Sequence, residues 1–138
     1  MVNYSTGKAK NDWLKSFMLI YYQAIPLIDT TLKMDTEAEP PYLESMIEAY
    51  HLLPPMLQAI KKMHKPSDKE LSKIKVDFER TLRTSIKAGE MALKAVDDYS
   101  HGAQTATRMR FAAIIGLVNL TKTNHESLLQ RLAKIGVL

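Results

Sequence analysis

From Leu71 to Val96 an apolar or small residue recurs every three or four positions, at Leu71, Ile74, Phe78, Leu82, Ile86, Gly89, Leu93 and Val96, with no proline in the run. That spacing marks one face of an α-helix, and about thirty residues of it predict a rod of about 45 Å. Such a rod cannot cover its own apolar face, so the rest of the chain must supply helices to pack against it. Ser67-Asp68-Lys69-Glu70 reads as a capping box at its start, with the Ser67 hydroxyl serving the Glu70 amide and the Glu70 carboxylate reaching back. Gly102, in Ser100-His101-Gly102, suits the left-handed turn that closes it.

The remaining segments repeat the same period. After a polar lead-in over residues 1–10, Asn11-Asp12 predicts the N-cap of a first helix with Trp13, Phe17, Tyr21, Ala24 and Ile28 on one face, and Pro26 is expected to kink it. The period lapses over residues 33–39 and resumes after Pro40-Pro41, where Pro41 fits a first-turn position. Pro54-Pro55 removes two amide donors, so that helix is expected to break or kink and restart. Beyond Gly102, Ala106, Met109, Ala113, Leu117, Leu120, Leu128, Leu132 and Ile135 predict a fourth helix, which either runs on or breaks near residue 122, where Thr123-x-x-Glu126 offers a second capping box. No longer repeat and no strand-like alternation appears. The expectation is one all-α domain over residues 1–138, an up-and-down bundle of four helices, or five if the last one breaks.

Composition narrows the function classes. The chain holds no cysteine, which removes disulfide frameworks, thiolate metal sites and thiol catalysis together. The apolar stretch from Phe17 to Ile28 is interrupted by Gln23 and Pro26 and is too short for the ~20 residues of a membrane span; with no cleavable signal pattern, the expected location is the cytoplasm, without membrane insertion. Residues 1–55 carry four Lys against seven Asp/Glu, and residues 56–138 fifteen Lys/Arg against eight. The basic second half is modest in its excess.

No nucleophile elbow, P-loop or dinucleotide fingerprint is present, and five scattered glycines cannot form a phosphate-cradling loop, so no enzyme is expected. Glu48 and His51 have the i, i+3 spacing of di-metal bundles, but the partner set is missing, since Asp98 and His101 carry the wrong acid at a helix end and the first helix has no Glu. No metal or other cofactor is therefore expected. His64 and His101 sit where a histidine caps a helix, and no histidine has the following residues of a phosphotransfer site.

Two features remain as functional pointers. Lys73, Arg80, Lys87 and Lys94 recur every seventh residue and fall close to one line of the third helix. Asp77 and Glu90 stand at pairing distance from them along the helix, and Glu79 from Arg83, so a neutralised, solvated face is expected; without interleaved aromatics, nucleic-acid binding is not favoured. The second pointer is Phe111 to Val118, apolar all round, with Phe111, Ile114, Ile115, Leu117 and Val118 as its large residues. It is either a central core helix or an interface. The leading expectation is a non-catalytic interaction protein that forms a homodimer and meets a further protein; the alternative is a sensor or carrier that holds an apolar or aromatic ligand near Tyr21, Tyr22, Tyr50 and the Pro54-Pro55 break; a third is weak binding of nucleic acid or an anionic surface through the basic half.

Overall fold

The computed structural model describes residues 2–33 and 40–138, with side chains over 8–33 and 43–138. Four helices follow in order, α1 Val2–Leu32, α2 Pro40–Lys62, α3 Lys69–Ser100 and α4 Gln104–Lys134, and no strand occurs among the described residues. The chain is an all-α four-helix bundle. No described helix is long and apolar enough to cross a membrane.

The long periodic segment is the centre of the molecule. Among the described residues α3 packs against each of the other helices, whereas α2 and α4 do not meet. Its apolar face, with Leu71, Ile74, Phe78 and Leu82, lies in a core completed by Phe17 and Ile28 of α1, Leu53 and Ile60 of α2, and Leu128 and Leu132 of α4. Phe17 meets Phe78 edge-on with centroids 5.1 Å apart, and Thr31 and Ser85 share a 2.6 Å hydrogen bond, so α1 runs alongside the lower half of α3 and ends beside Ser85. From there α3 continues to Ser100, about 22 Å further, and among the described residues only α2 and α4 flank it.

The upper half solves its packing with small residues. Ala88, Ala92 and Ala95 of α3 form a shallow surface on which Leu43 and Met46 of α2 and Ile114 and Val118 of α4 pack. Gly89 lets α2 come closest: a Cβ built there would lie 2.5 Å from the Met46 carbonyl oxygen and 2.6 Å from the Tyr50 Cβ.

Several expectations are corrected. α1 is already helical from Val2, ahead of the Asn11-Asp12 cap, so it is as long as α4, and only α2 is short. α2 runs unbroken through Pro54 and Pro55. Leu53 and Leu57, buried on either side of the pair, fix the helix to the core, and this tertiary packing outweighs two missing backbone bonds. The cap of α3 is Asp68 and not Ser67: its Oδ1 accepts the Leu71 amide at 3.0 Å, and its Oδ2 meets Lys10 at 2.8 Å. Those contacts hold the Asp68 carboxyl below the usual range. α4 is continuous, because Thr121 and Thr123 direct their hydroxyls back to the Leu117 and Asn119 carbonyls within the helix instead of capping a new one. Gly102, at φ 74°, makes the turn expected of it. The connection expected over residues 33–39 falls, from residue 34 onward, outside the described residues.

The close approach at Gly89 has a measurable sign. Gly89→Ala gains about 1 kcal/mol of helix propensity but forces a methyl to 2.5 Å from a backbone oxygen of α2, which cannot rotate away, an overpacking at the upper end of the usual range, about 2–3 kcal/mol. We expect a net loss of about 1–2 kcal/mol in urea unfolding; a midpoint equal to or above wild type contradicts the packing described.

Candidate interaction surface on α3 and α4

The α3–α4 hairpin is held by a polar seam with a seven-residue repeat. Glu70, Asp77, Thr84, Met91 and Asp98 of α3 fall on one line, and each finds its partner on α4. Arg131 donates from Nε to Asp77 Oδ2 at 2.7 Å and from Nη1 to Glu70 Oε1 at 3.3 Å, and Ser127 donates to the same Asp77 oxygen at 2.8 Å. Thr84 and Thr121 share a 2.7 Å hydrogen bond at mid-height. At the top Arg110 donates to Asp98 at 3.0 Å and lies 3.8 Å from the Met91 sulfur. The bond to buried Asp77 raises the Arg131 pKa further above its ordinary value.

This seam changes the electrostatics expected of the basic row. Asp77 is buried and bonded to Arg131 and Ser127, and Glu79 pairs with Lys75 at 3.2 Å; neither serves the neighbours that helix spacing assigned to it. Glu90 pairs with Lys94 at 3.1 Å, as expected. Lys73, Arg80 and Lys87 are exposed and form no ion pair among the described residues, and Arg83 is in the same position. The row is therefore less neutralised than its sequence spacing implies.

α4 buries Leu128 and Leu132 as expected but departs from the expected phase before them. Its buried positions are Thr107, Ile114, Val118, Thr121, His125, Leu128 and Leu132, so two threonines and a histidine face inward in its first two thirds. Met109, Ala113 and Leu120, expected in the core, face out; Met109 is 70% and Leu120 50% exposed. Gly116 lies on the same line, with open space where its Cβ would be. Of the apolar run, Ile114 and Val118 are core, Phe111 and Leu117 are half-buried, and Ile115 is the exposed large residue at 38%. On α3, Leu93 and Val96 are also exposed rather than buried. Helix geometry places Met109, Ala113, Gly116 and Leu120 on the outward side of the seam, the side that carries Lys73, Arg80, Lys87 and Lys94 on α3.

Of the other singled-out residues, Tyr21 and Tyr22 of α1 meet edge-on with ring centroids 5.9 Å apart. Tyr21 is buried between Phe17 and Phe78, its hydroxyl pKa pushed up to about 12 by burial; Tyr22 is exposed; Tyr50 lies against Gly89 on α2. A cleft of about 430 Å³ lies at the other end of the bundle, around Trp13, whose indole N–H donates to the His64 carbonyl at 3.0 Å. Glu48 and His51 are exposed on α2, and no group of three metal-binding side chains occurs among the described residues. His101 caps α3, its Nδ1 2.8 Å from the Asp97 carbonyl oxygen, which together with the Asp97 carboxylate raises its pKa.

Comparison with protein-family models, curated proteins and solved structures gives no match for this chain.

His125 is the buried polar residue that sequence reasoning left without a role. Its Nε2 has no hydrogen-bond partner among the described residues, and burial lowers its pKa from 6.5 against the opposing pull of Asp29 on α1 and Glu126 beside it. The unfolded chain therefore takes up this proton before the folded one does, so the contribution to stability is complete above pH 6.5 and is lost as pH falls below 6.5 toward the lowered folded value. The raised pKa of His101 acts in the opposite sense, present at low pH and lost as pH rises. We expect His125→Leu to reduce the acid-side loss of stability below pH 6.5 in urea titrations; an unchanged slope contradicts a buried, neutral His125.

Proposed function

We propose that the chain is a non-catalytic helical interaction module that pairs with a second copy of itself through the outward face of α4. The observation that carries this is an apolar stripe that the fold leaves uncovered on α4: Met109, Ala113, Gly116 and Leu120 are turned outward, while the core line of Ile114, Val118, Leu128 and Leu132 takes in the polar Thr107, Thr121 and His125. From Phe111 to Thr121 there is no charged residue to keep a second helix away.

The order of sizes along the stripe supports a two-fold partner. Large, small, small and large side chains stand at intervals of four, three and four residues. Reversing the direction reproduces the order, so an antiparallel copy sets Met109 against Leu120 and Ala113 against Gly116 at both ends of the contact. Isologous interfaces require this kind of self-complementarity. The small central pair permits the close end of the usual 8–10 Å range of helix separation. The proposed setting is the cytoplasm, where a chain without cysteine has no disulfide to forgo.

Sedimentation equilibrium of the full chain tests the proposal. The wild-type protein should sediment as a dimer at micromolar concentration, and Ala113→Arg, which adds a charge at an exposed position, should weaken self-association at least tenfold while leaving the helical circular dichroism unchanged. A wild-type monomer throughout the accessible concentration range, or a variant that dimerises as well as wild type, contradicts it.

A further inference from the structure

The outward row of α3 has cations whose expected partners are committed elsewhere. Lys69, Lys73, Arg80 and Lys87 lie on one side of the helix, three of them seven residues apart, which is about 10.5 Å per step. Among the described residues none of the four forms an ion pair, because Asp77 and Glu70 are taken by Arg131 and Glu79 by Lys75. At the lower end of the row is a shallow cleft of about 420 Å³, lined by Lys69, Ser72, Lys73, Val76, Arg80 and the Asp77–Arg131 pair, and Val76 is 40% exposed within it. One exposed valine beside Lys69, Lys73 and Arg80, with the only acid of the cleft, Asp77, already bonded to Arg131, gives a two-part recognition surface at one end of a cationic row.

We propose that this face of α3 docks an acidic amphipathic helix of a partner protein. The partner aligns Asp or Glu residues at seven-residue spacing with Lys73, Arg80 and Lys87, and seats one apolar side chain on Val76. Charge complementarity selects the sign, and the shared period selects the shape. Carboxylates seven residues apart on a packed helix repeat at the same ~10.5 Å as the row, so one register satisfies every step. Glu79, Glu90 and Asp97 border the row on its other flank; they would repel the continuous phosphates of a nucleic acid but leave room for a helix with a single acidic line. No described aromatic side chain lies between the cations to stack a base, and the apolar component of the face is one valine rather than the bulky residues that anchor a helix in a lipid headgroup layer. The α3 row runs beside the α4 stripe on the same side of the seam but uses different residues, so each is tested by its own variants.

The test uses the full chain and a fluorescently labelled synthetic helical peptide of three heptads, with Glu at every seventh position beside a leucine stripe. Controls are a peptide of identical composition with the Glu positions scrambled, a single-stranded RNA and vesicles rich in phosphatidylserine. We expect saturable binding of the patterned peptide at low ionic strength, at least tenfold weaker binding of the scrambled one, and loss as salt rises. The triple variant Lys73→Glu, Arg80→Glu, Lys87→Glu should lose the binding while keeping the dimer and the helical circular dichroism, and Val76→Asp should weaken it with the row intact. Ala113→Arg should bind the peptide as wild type does. Absence of binding at low ionic strength, equal binding of the scrambled peptide, or tighter binding of the RNA or the vesicles overturns the proposal.

Discussion

The carboxylate of Asp77 is the point on which the α3–α4 hairpin depends. It is almost wholly buried, and one of its oxygens receives both the Arg131 guanidinium and the Ser127 hydroxyl. A carboxylate removed from water is tolerated only when its partners are fixed, so the cost of a slipped register is set here: moving α4 by one turn along α3 would strip Asp77 of both donors and leave a buried charge unpaired. Asp98 with Arg110 repeats the arrangement at the other end, and Thr84 with Thr121 in the middle. Apolar contact along the hairpin supplies cohesion without register, because Ala88, Ala92 and Ala95 offer Ile114 and Val118 a surface with little relief. The polar seam supplies the register.

The seam has consequences outside itself. By committing Glu70 and Asp77 to Arg131, and Thr84 to Thr121, it fixes which line of α4 faces α3, and therefore which line faces water. The inward line then includes Thr107, Thr121 and His125, and the outward line Met109, Ala113, Gly116 and Leu120. The same commitment removes acids from the α3 surface and leaves Lys73, Arg80 and Lys87 without ion pairs among the described residues. One internal hydrogen-bonded line thus accounts for an apolar stripe on one helix and a cationic row on the next.

The fold was legible in the sequence because its signals are local. The helix from Leu71 to Val96, the turn at Gly102 and the prolines that open α2 each depend on a few neighbouring residues and lie where the pattern puts them, although the buried line of that helix passes to Ala92 and Ala95 in place of Leu93 and Val96. The surface was less legible because it depends on pairings between residues about fifty positions apart. Helix spacing assigns Asp77 to Lys73 and Arg80, but Arg131 and Ser127, distant in sequence, hold it more closely and in a drier place. In α4 two apolar lines compete before residue 121, and spacing alone does not choose between Met109, Ala113 and Leu120 on one and Ile114 and Val118 on the other; the hydrogen bonds offered to Thr121 and to the arginines do. The Pro54-Pro55 pair misleads for the same reason, since Leu53 and Leu57 retain the helix by contacts that no local rule contains.

A protein without cysteine permits a direct test of where α4 meets its partner. Copies carrying Ala113→Cys should be mixed with copies carrying Gly116→Cys and oxidised, with Gln58→Cys on the exposed side of α2 as control. An antiparallel α4 contact predicts that the mixture yields a disulfide-linked dimer of one copy of each, in excess of anything formed by the control. Cross-linking no greater than that of Gln58→Cys would show that the outward face of α4 is not an interface between copies.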